Sequence, residues 1–82
     1  GKMTRGKKLK QMLRFLNKNG KIYSEIKRPP DPDFQPYRKG SVLVVYRCEV
    51  TDESFCVGDV NRYAAYKSIY NYVKKSIKKG KE

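Results

Sequence analysis

Leu9, Met12, Leu13 and Leu16 recur at i, i+3, i+4 and i+7, which is one face of a helix. They predict a helix over residues 5–19. Thr4 is placed to cap its start, and Asn19-Gly20 to end it with a left-handed stop. KIYSEIK, 21–27, alternates imperfectly and predicts a short strand. RPPDPDFQPYRKG, 28–40, holds all four prolines of the chain. Each proline fixes φ and removes a donor, so this stretch predicts an irregular loop, with Phe34 and Tyr37 as its anchors to the body. SVLVVYRCEV, 41–50, is the clearest strand. Val42, Val44, Tyr46, Cys48 and Val50 share one face, and Leu43, Val45, Arg47 and Glu49 share the other. TDES predicts a turn and FCVG a returning strand. In that hairpin Cys48 and Cys56 fall close to opposite positions, which makes a cross-strand disulfide conceivable, but sequence does not fix the register and two reduced thiols are the expectation. Tyr63, Tyr66, Tyr70, Val73 and Ile77, widened by Ile69, form the apolar stripe of a second helix over 61–79, capped by Asp59 or Asn61.

The order helix, strand, strand, strand, helix implies an α+β fold. Its simplest layout is a three-stranded antiparallel sheet with two helices packed on one face. At 82 residues the chain allows one domain, expected over 4–79, with 1–3 and 80–82 as disordered tails. No apolar run is long enough for a transmembrane helix, and no signal-peptide pattern is visible. An intracellular setting, cytoplasm or nucleoid/nucleus, is the expectation, with the two cysteines reduced there.

Charge changes this picture more than composition does. Twenty Lys and Arg stand against eight Asp and Glu, a formal net charge of +12. Residues 1–21 carry eight basic side chains and no acid, while 22–60 carry seven acids against five basic residues. The excess therefore lies in the two predicted helices. Lys7, Lys10, Arg14 and Lys18 form a column opposite the first apolar stripe. Lys67, Lys74 and Lys78 form a second column, with Asn71 in its gap and Arg62 ahead of it. Neither helix has a Glu–Lys pair of the kind that stabilises solvated helices. Self-repulsion at this charge disfavours the compact state, and a polyanionic partner relieves it. Lysines at the end of the second helix also favour its dipole, which accounts in part for Lys74, Lys75, Lys78 and Lys79.

The element order and length resemble the double-stranded RNA-binding domain over residues 9–77. YSEIKRPPDPDF stands where that family has its first strand and a Gly-Pro-x-His loop. FCVGDVNRYAAYK stands where it has Gly-x-Gly-x-Ser-Lys-Lys-x-Ala-Lys. Gly58 and Asn61 match the glycine and the serine cap, and Arg62 the first lysine. Tyr63 and Tyr66 replace the other two lysines, Lys67 lies one residue late, and Asp31 and Asp33 occupy a loop without histidine. The resemblance implies the α-β-β-β-α fold. It also implies contact with a duplex through helix one, the first loop and the start of helix two.

The expected function is a non-enzymatic nucleic-acid-binding module. It would hold the phosphate backbone of a duplex, RNA or DNA, through Lys7, Lys10, Arg14, Lys18, Arg62, Lys67, Lys74 and Lys78, with little sequence specificity. The tyrosines Tyr63, Tyr66 and Tyr70 are expected to pack on the sheet rather than stack bases, with Tyr72 off the stripe and exposed. With no histidine, no glycine-rich phosphate loop and no activated nucleophile, neither catalysis nor a cofactor or metal is expected. The alternative is a small interaction or inhibitor module, for example phage or viral, that binds an acidic host protein. Attachment to an anionic membrane ranks last, because the apolar stripes are needed for the core.

Overall fold

A computed structural model describes residues 4–80 of the chain. Helix α1 spans Arg5–Asn19 and runs without a loop into strand β1, Gly20–Arg28. A single 3₁₀ turn, Gln35–Tyr37, interrupts the proline-rich loop. Strand β2, Ser41–Cys48, turns into β3, Glu53–Asp59, and helix α2 spans Arg62–Gly80. The sheet is antiparallel in the order β1-β2-β3. Helix α1 packs on β1, α2 packs on β2 and β3, and the two helices pack on each other. The fold is α+β, with both helices on one face of the sheet. The expected tails at 1–3 and 81–82 lie outside the described residues, and Gly80 is the last residue of α2. No helix among the described residues is long and apolar enough to cross a membrane.

The apolar periodicities become the core. Leu16, Val44, Tyr46, Cys48, Ala65, Tyr66, Ile69 and Val73 are buried together. Each large member contributes roughly 1.5–3 kcal/mol by leaving water. Strand β2 alternates as its sequence does, with Val42, Val44, Tyr46 and Cys48 under the helices. Val50, expected to continue this face, lies past the strand end in the turn and is exposed. The imperfect alternation of β1 has a structural cause. Ile22 opposes Tyr46, but Ser24 opposes Val45, so the register shifts around Tyr23. A bulge of one residue reverses the faces beyond it. Glu25 and Lys27 then lie opposite Val44 and Val42 on the helix side, and Ile26 lies opposite Leu43 on the open side.

Both caps are formed. The Thr4 hydroxyl accepts from the Lys7 N–H at 3.2 Å. The Asn61 carboxamide accepts from the Ala64 N–H at 2.8 Å, while Asp59 bonds only the Val60 N–H. Asn61, not Asp59, is therefore the cap of α2. The proline-rich loop holds itself: Asp31 N–H donates to the Tyr37 carbonyl at 3.0 Å, and the Phe34 and Tyr37 rings lie 5.0 Å apart. Tyr37 reaches the body through the Gly58 carbonyl at 3.4 Å, but Phe34 stays half exposed and anchors nothing.

Of the two readings of the cysteines the structure has free thiols, and one expectation, the left-handed stop of α1, is corrected. Cys48 opposes Glu53 and is buried on the helix side, whereas Cys56 opposes Val45 and is exposed on the other face. Adjacent residues on a strand point to opposite faces, so this register separates the thiols, and both are free. The end of α1 is not a left-handed stop. Gly20 has φ 177°, which is extended backbone. Its lack of a side chain is needed for space: a Cβ there would lie 2.6 Å from the Tyr46 hydroxyl and 2.9 Å from Cys48 Cα, and would collide with the Arg47 carbonyl. That close approach lets the Tyr46 hydroxyl donate to the Leu16 carbonyl at 2.7 Å, satisfying one of the open carbonyls of the last turn. Burial, with the charge of nearby Glu49 adding to it, pushes the Tyr46 phenol up to about 12, so it remains a donor at neutral pH.

Gly20→Ala is expected to destabilise the domain by roughly 1–3 kcal/mol, the usual cost of overpacking. Tyr46→Phe should cost about 1–3 kcal/mol, because it strands a buried carbonyl. Urea unfolding of both variants checks this, and wild-type midpoints would show that the α1–β1 junction is not tightly packed.

Candidate nucleic-acid interface

The two helices carry six basic residues each and no acid. The acids of the described chain are all on the sheet and its loops. Because α1 and α2 lie side by side on the sheet, their outer surfaces form one basic face. Lys7, Lys10, Arg14, Lys18, Lys67, Lys74 and Lys78 are all exposed on it. Lys7, Lys10 and Arg14 surround a shallow depression with Gln11, on the flank of α1. Gln11 also lines a groove of about 340 Å³ between the helices, with Lys8 and Met12 from α1 and Tyr63, Lys67, Tyr70 and Asn71 from α2. Farther along the seam Phe15 and Ile77 meet Lys74 and Lys78. Lys18 continues the α1 column into the last turn. The two columns are thus neighbours, joined across Gln11.

Arg62 does not belong to this face. It precedes Lys67 by five residues, which turns it by about 140° around a helix of 3.6 residues per turn. It points toward the sheet, where its Nε donates to both carboxylate oxygens of Glu25 at 2.9 Å. The Tyr66 hydroxyl donates to the same carboxylate. Burial alone would raise the Glu25 pKa. The bonds from Tyr66 and Arg62, with the charges of Arg62 and Lys27, outweigh it and hold the carboxyl below its ordinary value. The same partner raises the Arg62 pKa, and burial with the Glu25 bond raises that of Tyr66. The bulge at Tyr23 makes this cluster, since it turns Glu25 to the helix side. Arg62 ties the start of α2 to β1, a role its sequence position did not reveal.

Tyrosines and lysines are less separated than their spacing suggests. Tyr66 is buried on the sheet, as expected. Tyr63 and Tyr70 are half-buried at the helix–helix seam. Lys67 lies over the Tyr63 ring at 6.0 Å, and Lys74 over the Tyr70 ring at 5.0 Å. Arg5 also lies over Tyr63, at 5.4 Å, and Phe15 packs edge-on against Tyr70. Each exposed cation–π contact contributes about 0.5–1 kcal/mol and holds a flexible side chain in place. Tyr72 is exposed and stacks on Phe55. Arg5, Lys8 and Gln11 join the surface although they lie off the basic column. Lys8 lies on the flank of the apolar stripe, Gln11 at the edge of the basic column four residues after Lys7, and Arg5 on the line of the stripe itself, one turn before Leu9.

Apart from Arg62 with Glu25, the ion pair among the described residues is Arg47 with Asp52 in the β2–β3 turn. Among the described residues the other cations of the two helices have no carboxylate within ion-pair distance. Among the described residues no cluster of three or more His, Cys, Asp or Glu forms a metal site. The proline-rich loop carries Asp31 beside Arg28 in its own shallow depression. No family model, curated protein or solved structure matches the chain.

Glu25→Gln gives a pH test of the Arg62–Glu25–Tyr66 cluster, which brackets α2 to β1. A carboxyl with a depressed folded pKa stabilises fully above its unfolded value and loses that contribution as pH falls through the folded one. The wild-type advantage over Glu25→Gln is expected to be about 1 kcal/mol near neutrality, kept small by the solvent around half-exposed Arg62. It should shrink below the ordinary 4.5 of a glutamate. Urea melts between about pH 3 and pH 7 measure it. A difference independent of pH would remove the ionised Glu25 from the account.

Proposed function

We propose that this chain is a non-enzymatic nucleic-acid-binding module that holds the phosphate backbone of a duplex against its two-helix face. One observation carries the reading. The packed helices present basic side chains with no carboxylate among them, while the domain's acids are kept on the sheet and loops. Phosphate oxygens are the natural counter-charge for such a surface, and neutralising them releases condensed counterions. The tyrosine rings of the face support a duplex over a single strand. A single-strand platform needs open rings for successive bases, and here Tyr63 and Tyr70 already meet Arg5, Lys67 and Lys74. The resemblance to the double-stranded RNA-binding domain supports a duplex partner and the use of helix one, while here α2 would contribute through Lys67, Lys74 and Lys78 rather than through its first residue. Phosphate contacts of this kind position a duplex and carry little sequence information.

The phosphate contacts are assigned to Lys7, Lys10, Arg14, Lys18, Lys67, Lys74 and Lys78. Arg62 belongs to the bracket instead. Fluorescence anisotropy of 20-base-pair RNA and DNA duplexes and their single strands, across a salt series, tests the reading. Duplex binding should weaken steeply with salt. Lys67→Ala and Lys74→Ala should each lower the slope of log K against log salt by about 1, and Arg62→Ala should leave it unchanged. Flat titrations for all four probes would overturn the proposal and turn the face toward an acidic protein.

A further inference from the structure

The groove between α1 and α2 differs in chemistry from the rest of the basic face. Lys7, Lys10 and Arg14 are cations around a shallow surface, and that suffices for a phosphate. The groove has Met12, nearly buried, and it is walled by Tyr63 and Tyr70. Gln11 from one helix and Asn71 from the other bring two primary amides to it, and Lys8 and Lys67 bring two cations. A phosphate oxygen only accepts hydrogen bonds, so it has use for the cations but for only half of each amide. A primary amide both donates and accepts. That matches the mixed donor and acceptor edge of a nucleobase, which Asn and Gln read in pairs of bonds. Met12 offers apolar surface to the flat body of the same group, and Tyr63 and Tyr70, whose rings already carry Arg5, Lys67 and Lys74, wall the groove without stacking on the base. At about 340 Å³ the groove is near the small end of ligand sites, which run from about 300 to 1,000 Å³. That is room for one base rather than a run of them.

We propose that this groove receives a single unpaired nucleobase of a bound nucleic-acid strand, with the adjoining phosphate between Lys8 and Lys67. The inference rests on the duplex-backbone reading and adds a place where a base is read. The unpaired nucleotide is at a duplex end or a bulge, because a base inside a duplex is stacked and does not reach a groove between two helices. Arg5, over the Tyr63 ring, adds a further cation at the same end of the seam.

The test compares two duplexes of equal charge by anisotropy. One carries a single unpaired adenine nucleotide at its end, and the other an abasic nucleotide there. The wild-type chain should bind the first about 10-fold more tightly. Gln11 and Asn71 are both exposed, so Gln11→Ala and Asn71→Ala should fold normally. Each should reduce the preference severalfold, and Asn71→Ala, which is away from the Lys7, Lys10 and Arg14 depression, should leave affinity for the abasic probe unchanged. Lys10→Ala should weaken both probes alike. Equal affinity for the two probes, with steep salt dependence retained, overturns the groove assignment and leaves the backbone reading standing. Absence of binding to either overturns both. A preference that survives both amide variants places the base elsewhere and overturns the assignment. Adenosine monophosphate binding as tightly as the adenine-tailed duplex would make the groove a free-nucleotide site, and also overturns it.

Discussion

The hydroxyl of Tyr46 on the carbonyl of Leu16 is the contact on which the arrangement of this domain depends. Helix α1 passes straight into β1, so its direction is set by how closely its last turn approaches the middle strand. Gly20 allows that approach by presenting no Cβ to Arg47 and Cys48. Tyr46, fully buried, fills the space beneath and supplies a donor for the helix end. Three demands meet at one point: a satisfied carbonyl, a packed aromatic ring and a tight chain reversal. With α1 fixed there, its apolar stripe falls on the core formed by β2 and α2, and its basic side turns outward.

Charge is the second constraint, and it opposes the first. A small domain gains little stability from its core, and a helix pair bearing twelve cations and no acid repels itself. The structure eases the repulsion by local means. Arg62 is turned inward to Glu25, and Arg5, Lys67 and Lys74 lie over tyrosine rings. Arg47 is paired with Asp52 away from the helices. Lys7, Lys8, Lys10, Arg14, Lys18 and Lys78 remain exposed on the helix face. Bound polyanion would relieve what these contacts leave, so stability and the proposed binding are linked through the same side chains.

The elements were legible because their signals are local. Leu9, Met12, Leu13 and Leu16 mark a helix by spacing alone, and Val42, Val44, Tyr46 and Cys48 mark a strand by alternation. Thr4 and Asn61 could be read as caps, because capping involves backbone groups within one turn. What escaped was whatever depends on register. The bulge at Tyr23 shows in the sequence only as a blurred pattern, yet it decides which side of the sheet Glu25 occupies. Cys48 and Cys56 sit in neighbouring strands, but Cys56 pairs with Val45, three residues along β2 from Cys48, and an odd offset puts them on opposite faces. Arg62 looked like part of a basic surface because it is near Lys67 in sequence, whereas five residues of helix turn it toward the sheet.

The sequence by itself determined the number, kind and order of the elements, the inward stripe of each helix and the concentration of positive charge on α1 and α2. These follow from the 3.6- and 2-residue periods and from composition, which need no knowledge of distant neighbours. Only the tertiary structure decided that the two basic columns adjoin and that Arg62 is withdrawn to Glu25. It also brought Gln11 and Asn71, sixty residues apart in the chain, to one groove with Lys8 and Lys67. The reason is physical: a helix's own sequence sets which residues share its face, but the rotation of that face against a neighbour is set by packing between side chains far apart in the chain.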